Sequence, residues 1–390
     1  MKSFDNTLVA FNDRSNSELR KALMLFRIIA NPFLVRAGAS LTRFGIALGL
    51  PLDWALKPTV FSHFCGGETI DACNDTISRL ARSNIKTILD YSAEGKENDT
   101  DLDNTRDQIL ATLEKARGNT AIPFAVFKPT GIARFALLEK VQAGLVLTNS
   151  ELHEFERVKG RFLSICQRSY ELGIPVMIDA EESWIQQIVD ELAEEMMFRF
   201  NQEKPMVFTT LQMYRHDRLK YLLDLVRRAR QKGIFTAVKL VRGAYMEKER
   251  ERAAQKAYPS PIYHDKPSTD QGFDKGVEFC LENINDVAVC IGTHNELSCL
   301  MGAEKMTRLG ISRNHGHIWF SQLLGMGDHI SYNMAAEGFN VTKYVPYGPV
   351  KTVVPYLIRR AQENTSVAGQ TSRELFLLRT ELQRRKQQVS

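Results

Sequence analysis

Tyr356, Arg359, Arg360 and Glu363 stand close together in the run Tyr-Leu-Ile-Arg-Arg-Ala-Gln-Glu-Asn that ends at Asn364. On a helix the two adjacent arginines point roughly 100° apart and can flank one cleft, while Tyr356 and Arg360, four apart, share a face. A guanidinium offers a planar fork to a carboxylate, so two of them at one cleft suit a small acid or amino acid. The same spacing also describes an exposed helix with ion pairs, which contributes little. Upstream, polar residues recur at the ends of short apolar runs: Asp90, Lys128, Asp179 with Glu181, Gln212 with Tyr214, and Arg242 with Tyr245. Thr293-His294-Asn295, Gln322, and Tyr344 or Tyr347 continue the series. Each alone could be a buried ion pair or a capped loop. Their recurrence run after run argues for a site assembled from many elements.

The elements that must position these residues alternate. Strands are expected at Ile85 to Tyr91, Ile122 to Lys128, Pro175 to Ala180, Val207 to Gln212, Thr236 to Val241, Val287 to Thr293, Ile318 to Leu323 and Thr342 to Tyr347. Several are nearly all apolar, as burial on both faces demands, and charged amphipathic stretches such as Asp217 to Lys232 lie between them. Eight such βα units predict a distorted (βα)8 barrel of the α/β class, with an open doubly wound sheet as the alternative. No G-x-G-x-x-G joins a strand to a helix, which counts against that alternative. The expected division is a helical arm over 1–84, a barrel over 85–370 and a solvated surface helix over 371–390. In a barrel of this kind the site lies at the C-terminal ends of the strands, where the polar residues above fall.

The 390 residues, 25% of them charged with a net charge of +5, intersperse basic with acidic residues except in the last turns before Ser390, which gives a nucleic-acid role little support. Six scattered cysteines without C-x-x-C pairs fit a reducing compartment rather than a disulfide scaffold. The acidic start (Asp5, Asp13, Glu18) is wrong for a secretory signal. The apolar stretch from Ala22 to Leu50 is broken by Arg27, Pro32, Arg36 and Arg43, so it is read as a helical arm packed on the core. Its interleaved arginines leave peripheral membrane contact open. His315-Gly-His317 lacks the further ligands that a zinc site needs, and Thr293-His294-Asn295 is not a hydrolytic triad.

The motifs taken in order carry a resemblance. Phe-Cys-Gly-Gly-Glu (64–68), Phe-Lys-Pro-Thr-Gly (127–131), Ile-Asp-Ala-Glu-Glu (178–182), Lys-Leu-Val-Arg-Gly-Ala-Tyr (239–245), Thr-His-Asn (293–295), Gln-Leu-Leu-Gly-Met (322–326), Tyr-Val-Pro-Tyr-Gly (344–348) and the arginine run resemble the proline dehydrogenase family. The resemblance implies FAD as cofactor, with L-proline oxidised to Δ1-pyrroline-5-carboxylate and electrons passed to membrane quinone. It implies that Arg359 and Arg360 clamp the substrate carboxylate, that Glu363 holds them, that Lys128 lies beside the substrate and that Asp179 lies near both substrate and cofactor. Tyr245, Leu323, Tyr344 and Tyr356 then wall the pyrrolidine ring, while Gln212, Lys239, Val241, Arg242, Gly243, Ala244, Thr293, His294 and Asn295 face the cofactor. Lys239 and Arg242 are the candidates for a cation near the flavin ring. Lysine first and arginine fourth in Lys-Leu-Val-Arg departs from the Arg-Leu-Val-Lys of many bacterial relatives and lies closer to a eukaryotic-like branch. A monofunctional enzyme is expected, either bacterial and cytoplasmic with attachment to the inner membrane or, in a eukaryote, mitochondrial.

Other chemistries stay open on the residues alone. Hydroxyproline could be the substrate, against which Tyr344 would pack closely. Lys128 or Lys239, if desolvated, could form a Schiff base as in a barrel aldolase. A non-catalytic interaction protein would leave the polar residues at the strand ends unexplained.

Overall fold

The computed structural model describes residues 3–48, 53–92, 96–366 and 370–388, excluding the side chains at 43, 46, 47, 362–366 and 370. Eight parallel strands close on themselves in chain order. They are β1 (Ile85–Tyr91), β2 (Phe124–Phe127), β3 (Val176–Ile178), β4 (Val207–Gln212), β5 (Thr236–Val241), β6 (Val287–Gly292), β7 (Ile318–Leu323) and β8 (Val341–Tyr347). Closure is carried by β1 and β8, paired along their full length from Ile85 opposite Val341 to Tyr91 opposite Tyr347. The (βα)8 barrel read from the sequence is the observed fold.

Two strands are shorter than their apolar runs. β2 starts at Phe124 rather than Ile122, because Pro123 has no N–H for the ladder and Ile122 is turned back onto Asn119 O. β3 stops at Ile178, after which Asp179 N–H still bonds Phe127 O across the rim.

The main core lies between the outward strand residues and the outer helices, with Phe127 edge-on to Phe162. A second, smaller cluster fills the barrel interior, where Phe124 meets Phe208 and Trp319 edge-on at the base, with Val126, Met177 and Ala237 near them. Inward residues alternate along each strand, so the next inward positions toward the C-terminal ends are Asp90, Lys128, Asp179, Thr210, Lys239, Cys290, Ser321 and Tyr344.

Residues before β1 are helical, as expected, but the arm ends in a short backbone pairing. Gly66 N–H bonds Pro346 O at 2.9 Å and Gly348 N–H bonds Gly67 O at 3.1 Å. A Cβ at Gly66 would lie 2.6 Å from Val345 and one at Gly67 2.6 Å from Ala72, so this approach requires glycine. The helix Gln370–Gln387 is more than the solvated surface helix expected of its charge. Leu377 and Leu378 are buried against Leu19, Ala22 and Phe26 of the helix Asn16–Ile29, and the Glu381 carboxylate is wholly covered, accepting from Arg384 and Arg385. The two ends of the chain thus pack on each other.

Candidate active site

Lys128, Asp179, Lys239 and Tyr344 are brought together by four different strand ends. Lys128 Nζ donates to Asp90 Oδ2 at 2.7 Å and to the Tyr344 hydroxyl at 3.1 Å, and lies 3.6 Å from Asp179 Oδ2. The Tyr344 hydroxyl donates to Asp179 Oδ2 at 2.7 Å, and Lys239 Nζ donates to Asp179 Oδ1. Both ammonium groups sit over the Tyr344 ring, 5.5 and 5.2 Å from its centroid. Burial opposes the charge on Asp179, yet Lys239 and Lys128 outweigh it and hold the carboxyl below its usual range. Burial, with the charges of Asp179 and Asp90, drives the Tyr344 phenol well above its usual range, so it stays neutral. Two ammonium and two carboxylate groups largely withdrawn from the surface inside a barrel are an expensive way to fill space, which marks a functional layer.

The β4–β6 rim is built from side chain to backbone. Gln212 Nε2 donates to Glu181 O at 2.6 Å while its Oε1 accepts from Ala244 N–H at 3.1 Å. Val241 ends β5 beside the close packing of Gly292, whose added Cβ would lie 3.0 Å from it. Gly243 adopts φ 137, and any Cβ there would strike the Tyr214 ring at 2.6 Å. Arg242 stacks on Phe273 at 4.4 Å and donates to Asp270, Thr293 Oγ1 and Ser298 Oγ at 2.7, 2.6 and 2.8 Å. Of the two cations expected near a cofactor ring, Lys239 therefore faces the interior, whereas Arg242 is spent along the β6 rim. Asn295 caps the helix Glu296–Arg308.

His294 Nε2 accepts the Leu323 N–H at 3.0 Å. Burial, then the positive charges of Lys343 and Arg360, depress its pKa to about 3, so the ring is neutral and carries its proton on Nδ1. Leu323, at the end of β7, packs toward Tyr344 inside the barrel and toward Tyr356 on the helix Val350–Ser366. On that helix Tyr356 is buried, Arg359 half-buried and Arg360 buried with its guanidinium 5.2 Å over the Tyr356 ring. Leu323 lies against both the interior cluster of Tyr344 and the cluster of Tyr356 and Leu357, which places this helix at the barrel mouth. Glu363 lies outside the described side chains. Tyr245 is buried at the start of the helix Met246–Lys256, beneath the Lys248 ammonium at 5.4 Å.

Three expected residues serve other ends. The Glu181 carboxylate accepts Thr130 N–H and Oγ at 2.7 and 2.6 Å, pinning the β2 loop. Tyr214 fills the space under Gly243. Tyr347 points outward to Thr112 Oγ1 at 2.8 Å, which leaves Tyr344 as the inward tyrosine of β8. The sequence reading missed Thr210, Cys290 and Ser321 of the same inward layer. Counting the pleat outward from Lys239 along its register with Thr210 and Cys290 would have found two of them. It also missed Lys343, which is fully buried on the outer face of β8 and donates to Met326 O at 2.6 Å, Leu323 O at 3.3 Å and Asp328 Oδ1 at 2.8 Å. Asp328 is held in turn by Arg14 of the arm at 2.5 Å, and His63 bonds Gly325 O at 2.9 Å. The loop after β7 is thus gripped from both sides.

A closed parallel barrel with a buried charged layer at the C-terminal ends of its strands defines a (βα)8-barrel enzyme. Residues 73–373 match the model of the family described as proline dehydrogenase, and the chain belongs to that family of oxidoreductases. It is 34% identical over 329 residues, 84% of either chain, to a carbapenem antibiotics biosynthesis protein, CarD, of Pectobacterium carotovorum. It is 32% identical to the mitochondrial proline dehydrogenase 1 of Arabidopsis thaliana, over 89% of this chain and 77% of the relative. A hydroxyproline dehydrogenase of Xenopus laevis is 30% identical over 96% of this chain and 88% of its own. Among solved structures, proline utilization A of Bdellovibrio bacteriovorus shares the fold with a TM-score of 0.72 at 18% identity. That alignment covers 94% of this chain but only 40% of the larger protein.

Proposed function

We propose that the chain binds FAD and oxidises L-proline to Δ1-pyrroline-5-carboxylate, the first step of proline catabolism, with a membrane quinone as final acceptor. The observation that carries this reading is the buried network of Lys128, Asp179, Lys239 and Tyr344 at the barrel mouth of a chain of this family. Asp90 Oδ1 and Thr210 Oγ1 in the same layer are buried without a hydrogen-bond partner among the described residues. Such atoms fit a ligand rich in donors and acceptors, as an isoalloxazine ring is. Gln212, Lys239, Val241, Gly243, Ala244, His294 and Asn295 would hold that ring and its tail. FAD, when bound, supplies the acceptor for the electron pair.

The protein's own task is positioning. Arg359 and Arg360 bind the carboxylate through paired N–H donors, and Tyr245, Leu323, Tyr344 and Tyr356 confine the ring so that C5 has one approach. Oxidation removes a hydride from C5 and a proton from the ring nitrogen, leaving a C=N bond. A protonated amine resists that loss, so the neutral amine reacts and turnover rises with pH. Lys128 adds positive charge near the carboxylate, and together with Lys239 it balances the carboxylates of Asp90 and Asp179.

The hydroxyproline dehydrogenase relative supports a second reading, in which a 4-hydroxylated ring is the substrate. Tyr344 argues against it, since its hydroxyl is fixed by Asp179 and Lys128 and the phenol cannot easily swing aside. The test is a turnover assay with FAD-loaded protein, a soluble electron acceptor and chemical trapping of the imine product. L-proline is expected to be preferred over trans-4-hydroxy-L-proline in kcat/KM. Turnover of the hydroxylated ring alone would select the second reading, and turnover of neither would remove both.

A further inference from the structure

Leu323 is the last residue of β7, and the backbone turns sharply after it. Gly325 and Gly327 stand at φ 77 and 61, and glycines of this kind leave a loop free to move unless its polar groups are held. Here they are held one by one. His294 Nε2 accepts the Leu323 N–H at 3.0 Å, and Tyr344 O accepts the Leu324 N–H at 2.9 Å. Lys343 Nζ donates to Met326 O and Leu323 O at 2.6 and 3.3 Å. The neutral His63 ring donates from Nε2 to Gly325 O at 2.9 Å, and Glu374 Oε1 accepts the Gly327 N–H at 2.7 Å. Leu323 stays half-buried at the barrel mouth while residues 324–330 are buried.

Three of these anchors come from distant parts of the chain: His63 from the arm, Lys343 from the outer face of β8 and Glu374 from the helix Gln370–Gln387. Lys343 is the costliest, because a fully buried ammonium needs compensation. Asp328 Oδ1 supplies it at 2.8 Å, and Arg14 holds Asp328 from the other side. Burial opposes the charge on Asp328, yet Lys343 and Arg14 outweigh it and keep the carboxyl below its usual range. The outward β8 positions on either side of Lys343, Val341 and Val345, are apolar and belong to the main core. The charge at 343 therefore serves the two carbonyls rather than the packing.

We propose that Lys343 and Glu374 are positioning residues for the oxidation: by fixing the loop they set how far Leu323 reaches over the substrate ring, so ring size is selected partly from outside the barrel. This role rests on the reading of Leu323 as a wall of the pyrrolidine ring. A wall that drifts by about 1 Å admits a larger ring, and an apolar pocket discriminates single methylenes only while its walls hold still. The same anchors steady His294, whose Nε2 is spent on the Leu323 N–H.

The test uses the full chain loaded with FAD and a soluble acceptor, and compares kcat/KM for L-proline with that for L-pipecolate, whose ring has one more methylene. Lys343→Met keeps the Asp328–Arg14 pair and should reduce the preference for proline by roughly tenfold, the order of one methylene in an apolar pocket. Glu374→Leu should do the same, whereas Glu374→Gln, which retains an acceptor for the Gly327 N–H, should keep the wild-type ratio. Hydrogen exchange at 323–327 should quicken in the first two variants and not in the third. Leu378→Ala, which opens a cavity one turn along the same helix, should lower the urea midpoint with the ratio intact. An unchanged ratio or unchanged exchange in Lys343→Met and Glu374→Leu would overturn the proposal, as would a shift of the same size in Glu374→Gln or Leu378→Ala. If Lys343→Met does not fold, the two Glu374 variants decide. A wild type that oxidises neither ring would remove the proposed function itself. A wild type that oxidises proline while the variants keep its ring preference removes the positioning role alone.

Discussion

The lower and upper halves of the barrel interior are made by the same strands in the same pleat, and both are buried. Below, Phe124, Phe208 and Trp319 pack edge to face; above, Asp90, Lys128, Asp179, Lys239 and Tyr344 lock into one polar network. The apolar half stabilises the fold by removing carbon from water. The charged half gains little net stability after desolvation, so its residues are retained for what they bind.

The largest effect expected from this contrast is in the lower half. Phe208→Ala should destabilise the protein by roughly 3–5 kcal/mol in denaturant unfolding while leaving KM for proline unchanged in the fraction that folds. A changed KM at full stability would erase the distinction between the halves. In the upper half the double replacement Lys239→Met with Asp179→Leu should abolish turnover yet leave stability unchanged or raised by about 1–4 kcal/mol, because both buried charges go together. A large loss of stability would mean that the network holds the barrel closed.

A pH series sharpens the same point from the rim. Burial lowers His63 to about 4 and His294 to about 3, both from the ordinary 6.5. Below pH 6.5 the unfolded chain therefore takes up protons that these folded imidazoles refuse. Stability should fall with pH by up to about 1.4 kcal/mol per unit per histidine, until each folded pKa is reached. Urea midpoints flat between pH 6.5 and 4.5 would contradict the neutral buried rings. The smallest and cleanest comparison is within β8, where two tyrosines three residues apart face opposite ways. Tyr344→Phe should lower kcat/KM by roughly tenfold with little change in stability, whereas Tyr347→Phe, losing its bond to Thr112, should cost about 1 kcal/mol and leave kcat/KM alone. Reversed outcomes would exchange the inward and outward assignments.

The strands were legible because a parallel strand buried on both faces must be apolar throughout, as Val287–Gly292 is. Much of the polar layer was legible from its place at the strand ends, since the pleat brings Lys128, Asp179 and Lys239 to one height. What the sequence could not reveal is contact between distant segments. The Arg14–Asp328–Lys343 chain joins the arm to β7 and β8, and no local pattern distinguishes Lys343 from an ordinary exposed lysine. The buried face of the helix Gln370–Gln387 escaped for the same reason, because its Leu377 and Leu378 find their partners on the helix Asn16–Ile29. The arm helix was read as packed on the core; the structure covers one of its apolar faces and exposes the other.

The central claim is that the upper layer holds a flavin against proline, and an anaerobic absorbance titration tests it most directly. Protein reconstituted with FAD should show the oxidised flavin bands and lose them on addition of L-proline, with Tyr344→Phe bleaching more slowly. A chain that takes up no FAD, or whose flavin stays oxidised in saturating proline, would contradict it.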